Sequence, residues 1–111
     1  MTNKEFNNKA QEHFDEMNTV GLGELLLFDR NTSRIYIEKE TRYNTLLKTI
    51  VNICGYETGP RDFVKIISYE DFKRLPRISE TAALGLKLFL LTQCGVDWEN
   101  PDRRIILLPE E

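Results

Sequence analysis

The chain has 111 residues, 41% hydrophobic and 30% charged, which suits one small domain with a single core. Its net charge of −3 argues against a dedicated nucleic-acid binder, and its two cysteines argue against a disulfide-built secreted fold. The opening residues lack a basic stretch followed by an apolar one, and the run Leu88 to Leu91 is far too short to cross a bilayer, so the expectation is a cytoplasmic protein without a membrane partner.

Charge is unevenly spread. Residues 1–40 carry five basic against eight acidic groups, residues 41–90 eight against five, and residues 91–111 two against five. The middle is the only basic part, and Lys73, Arg74 and Arg77 cluster there before a long apolar stretch.

Taken in chain order, Phe6, Ala10, Phe14 and Met17 recur at helical spacing with charged residues between them, predicting an amphipathic helix over 4–17. Gly21 and Gly23 let the chain turn. The apolar run Glu24 to Phe28, the turn residues Asp29 to Ser33 and the alternating Arg34 to Glu38 then read as a β-hairpin over 24–38. A broad stripe of Tyr43, Leu46, Leu47, Ile50, Val51 and Cys54 predicts a helix over 42–54, stopped by Gly55. Gly59-Pro60 reads as loop punctuation, and Phe63 to Ile67, apolar at both parities apart from Lys65, reads as an interior strand over 62–67. A short helix over 69–75 follows. Ser79 then caps a helix over 80–94 that is apolar nearly all round and reads as the buried spine, with Gly85 marking either close packing by another backbone or a ligand notch. A last strand is expected over 104–109. Residues 1–111 thus predict a single α+β domain, three helices packed on a small, mostly antiparallel sheet. A glycine-ended helix leading through a loop into a strand recurs at Gly21, Gly55 and Gly95 and suggests either a duplicated unit or the commonness of helix-stop glycine.

The search for chemistry returns absences. His13 is the one histidine, there is no phosphate-binding glycine loop, and Cys54 and Cys94 lack the partners of a zinc site. The carboxylates of Glu38 to Glu40 and Asp97 to Asp102 read as solvated loop acids. No catalytic residue, metal site or small-molecule cofactor is assigned, and the chain is not expected to be an enzyme. Trp98, in the acidic loop after the spine, either anchors that loop or projects as a hot spot; with Tyr56, Asp97 and Glu99 it forms the candidate partner-binding patch.

The strand Phe63-Val64-Lys65-Ile66, the entry Arg77-Ile78-Ser79-Glu80-Thr81-Ala82, the run Leu86-Lys87-Leu88-Phe89-Leu90-Leu91 and the strand Ile105-Ile106-Leu107-Leu108 together resemble the opening of the winged-helix replication initiators of plasmids. The resemblance spans residues 62–109 and implies a partly winged-helix-like fold in a DNA-associated protein of a mobile element, acting in replication or its regulation. In that family the recognition helix and wing come after the second strand, where this sequence has only Glu110 and Glu111, so no DNA-reading residue carries over. DNA contact would rest on Lys73, Arg74, Arg77, Arg103 and Arg104, enough for salt-sensitive phosphate contact without base reading. The competing expectation is a protein-interaction module or homodimer working through Trp98, the acidic loop or a sheet edge.

Overall fold

The computed structural model describes residues 1–28, 36–37, 40–103, 105 and 107–109. Among them are six helices and no strand. They are α1 (Asn3–Met17), α2 (Leu22–Phe28), α3 (Glu40–Cys54), α4 (Pro60–Ile66), α5 (Tyr69–Lys73) and α6 (Glu80–Cys94).

The α+β expectation, and with it the winged-helix-like architecture, is therefore corrected to an all-helical one. Each mistaken strand has a local cause. In α4, Gly59 is the extended N-cap and Pro60 the first helical residue, where its missing N–H is no loss and its fixed φ already suits a helix. Asp62 then sits in the first turn and Lys65 in the last, each favourable to the helix dipole. Pro60, Phe63 and Val64 are buried with Ile67 packed against the core, an i, i+3, i+4, i+7 stripe, while Lys65 and Ile66 face outward. The β-forming character of Phe, Val and Ile was overridden by that stripe. In α2, Leu22, Leu25 and Leu26 are buried one turn apart, and leucine is a strong helix former. The rest of the expected hairpin, residues 29–35 and 38, lies outside the described residues. The expected strand over 104–109 has no sheet to join: residues 107–109 lie along α1, while Arg104 and Ile106 lie outside the described residues.

The last helix is the hub, packing on α1, α3 and α5, while α2 packs on α3. Its ends are firmly signed. The Ser79 hydroxyl accepts a bond from the Ala82 N–H at 3.1 Å, and Gly95 closes the helix in the left-handed conformation at φ 64°. A Cβ on Gly85 would lie 2.3 Å from the Tyr36 carbonyl oxygen, so the glycine serves close backbone packing. Beyond α6, the chain returns to the core at Val96 and Trp98.

Candidate interaction surfaces

Trp98 is only 2% exposed. Its indole N–H donates to the Ile67 carbonyl at 2.9 Å, and its rings meet Phe63, Tyr69 and Phe72 with centroids 5.1 to 5.3 Å apart. This is the anchoring arrangement: the tryptophan ties the 95–103 loop to α4 and α5 and presents no face to a partner.

The carboxylates beside it are answered from within the chain. Asp97, its side chain 17% exposed, accepts from the Glu99 N–H at 3.1 Å and pairs with Arg103 at 3.4 Å. Glu99 pairs with Lys87. The hydrogen bond that Lys87 donates to the Glu99 carboxylate stabilises the ammonium and holds the Lys87 pKa above its usual value, although partial desolvation opposes it. Asp97 and Glu99 are thus paired within the chain, while Asp102 stands exposed beside them. Tyr56 is exposed on the α3–α4 loop, where its carbonyl oxygen would lie 1.9 Å from a Cβ on Gly21.

The candidate phosphate contacts divide in the same way. Lys73 pairs with Glu70 at 3.0 Å and its ammonium lies 5.3 Å from the Tyr69 ring centroid. Lys87 lies 5.0 Å from the same ring, so the tyrosine joins the basic cluster to the loop network. Arg103 is turned toward Asp97. Arg74 and Arg77 are exposed in the turn between α5 and α6 with no acidic partner within ion-pair distance among the described residues. Arg77 has φ 70°, left-handed backbone unusual for a side chain of this size. Arg104, Glu110 and Glu111 lie outside the described residues.

Among the described residues no three His, Cys, Asp or Glu side chains gather where they could hold a metal ion, and no helix is long and apolar enough to cross a membrane. Cys54 and Cys94 are free thiols; burial pushes Cys94 up to about 12 and raises Cys54 in the same direction.

What the periodicity did not single out is an apolar surface on the hub helix itself. Leu84 and Leu88, one turn apart, are 46% and 40% exposed, between the exposed Thr81 and Thr92. The signal lay in those threonines. In a helix apolar nearly all round, a face marked by hydroxyls at both ends is the one turned to water, and the leucines between them are the anomaly. Leu27 and Phe28, at the end of α2, are also exposed.

No protein-family model, curated protein or solved structure matches this chain.

Proposed function

We propose that the chain is a non-enzymatic protein-interaction module that docks through the outer face of α6. The observation that carries this reading is the outward presentation of Leu84 and Leu88 from the helix around which the domain is built. Removing apolar surface from water is favourable at roughly 25 cal/mol per Å², so two half-exposed leucines on a rigid helix leave free energy that a partner's apolar surface can recover. Helix-borne residues also keep their spacing, so a partner meets a preformed site with little ordering cost.

A photo-cross-linking amino acid at position 88, compared with one at Glu57, tests this in the host cell. A discrete protein adduct from position 88 and none from position 57 supports docking through α6. Failure of position 88, together with micromolar, steeply salt-dependent binding of the purified chain to random duplex, would replace this reading with a DNA-associated one.

That second reading has its own observation in favour. Of the cluster Lys73, Arg74 and Arg77, the two arginines are exposed without acidic partners among the described residues, and the left-handed backbone at Arg77 is the sort of strain that gathers at functional positions. Two arginines supply phosphate contact without sequence reading.

A further inference from the structure

The two ends of α1 are held to the domain in different ways. Among residues 1–13 burial falls on Asn7, with Ala10 and Gln11 half-buried and the others exposed. The apolar burial that fixes a helix on a core is therefore slight over this part. A helix of 15 residues is marginal in water by itself, so the part needs another hold. Beside it lies an open apolar hollow of about 390 Å³, lined by Phe6, Ala10, Phe14, Thr92 and Leu107, where a close-packed contact would place side chains. Phe6 and Leu107 stay 41% and 48% exposed on its walls.

The hold is polar and comes from the far end of the sequence. The Asn7 carboxamide donates to the Leu108 carbonyl oxygen at 2.7 Å and accepts from the Leu108 N–H at 3.0 Å. One helical turn earlier, the Asn3 carboxamide donates to the Pro109 carbonyl oxygen at 2.8 Å. The other end of α1 is fixed without these residues. Phe14 is buried against Gly95, where a Cβ would stand 2.4 Å from its ring, and Met17 packs on the core. The Asn18 carboxamide donates to the Cys94 carbonyl oxygen at 2.9 Å and accepts from the Arg61 N–H at 3.1 Å, and the Arg61 guanidinium pairs with Asp15 at 2.7 Å.

We propose that residues 3–13 of α1 form a flap, hinged at Phe14 to Asn18 and latched by residues 107–109. Opening it parts hydrogen bonds that water can replace and uncovers little apolar surface, so it proceeds without unfolding of the hub helix. Thr92 ends the outward face of α6 and also lines the hollow, so the open flap lengthens the bare face past Leu88. That consequence rests on the reading of α6 as a docking face; the flap itself does not.

Amide hydrogen exchange of the purified full chain tests it, followed by NMR at a series of urea concentrations below the unfolding midpoint. In wild type the amides of residues 7–12 should exchange through an opening that urea barely changes, while those of residues 86–90 should follow global unfolding. Leu108→Pro removes the N–H that Asn7 accepts and leaves the sequence of α1 intact. It should speed exchange at residues 7–12 at least about tenfold and leave residues 86–90 within about twofold of wild type. Asn7→Ala should do the same, although alanine is the better helix former and propensity alone predicts slower exchange. Wild-type amides of residues 7–12 that follow global unfolding, unchanged exchange in Leu108→Pro, or equal acceleration in α1 and α6 would overturn the latch. Should Asn7→Ala fail to fold, Asn3→Ala at an exposed position decides in its place: exchange at least about threefold faster at residues 7–12 supports the latch, and no change overturns it. Exchange reads the flap and cross-linking from position 88 reads docking, so either can fail without the other.

Discussion

Gly85→Ala is the perturbation in which local propensity and tertiary packing predict opposite signs. In a solvent-facing helix the change stabilises by about 1 kcal/mol, because alanine loses less backbone entropy than glycine. Here the new Cβ would stand 2.3 Å from the Tyr36 carbonyl oxygen, 3.1 Å from its carbonyl carbon and 3.3 Å from Ile37 Cγ1. The nearest obstacle is backbone, which cannot swing aside as a side-chain tip can. Residues 36–37 must retreat, disturbing buried Ile37, the edge contact of Tyr36 with Phe89 at 6.0 Å, and the bond from the Thr92 hydroxyl to the Tyr36 hydroxyl at 2.7 Å. Overpacking of this kind costs about 1–3 kcal/mol, and a backbone clash belongs at the upper end. Subtracting the propensity gain leaves a net loss of about 2 kcal/mol, which for a domain of this size lowers Tm by roughly 8–10 °C. Urea and thermal unfolding followed by far-UV circular dichroism measure it. A gain of about 1 kcal/mol would refute the close approach and make Gly85 an ordinary surface glycine.

Trp98→Ala removes a fully packed ring and the bond to Ile67, so denaturant unfolding should show a loss of about 3–5 kcal/mol. Arg77→Gly relieves left-handed strain of about 1–2 kcal/mol and adds glycine's entropic cost of about 0.5–1, so unfolding should show a gain below about 1.5 kcal/mol; a loss would contradict the φ of 70°. Iodoacetamide at pH 8 should alkylate Cys54 well before Cys94, which should react only as the chain unfolds. Because Cys94 keeps its proton to about 12 in the fold and loses it near 9.0 when unfolded, its contribution to stability is present below pH 9 and falls as pH rises from 9 toward 12; Cys94→Ala should flatten that part of the pH profile.

The parts of the fold legible in the sequence are those where period and end signals agree. Ser79 and Gly95 bracket the hub helix, and the stripe from Tyr43 to Cys54 marks α3. In the stretch 62–67, Phe63, Val64, Ile66 and Ile67 satisfy a strand's propensity as readily as a helix's stripe, and the deciding residue, Pro60, signals a loop breaker as readily as a helix opener. The run Glu24 to Phe28 misleads for the related reason that a short apolar run has no period of its own. The surfaces were harder still. Trp98 in an acidic loop left anchor and hot spot both open, and only its burial favours the anchor. The outward face of α6 is hidden in a helix that is apolar on every side. The bonds between the Asn7 carboxamide and the Leu108 main chain join residues 101 positions apart, and local patterning carries no trace of them.

The claim that α6 is a docking face is tested most directly by replacing its two outward leucines with lysine, Leu84→Lys with Leu88→Lys, and comparing the tagged chain with wild type by size-exclusion chromatography of host lysate and by thermal unfolding. Both positions are half-exposed, so Tm should stay within roughly 2–4 °C of wild type. The account predicts that wild type elutes in an assembly larger than its own 13.0 kDa and that the double variant elutes as the free chain. Identical elution of the two folded proteins would contradict it.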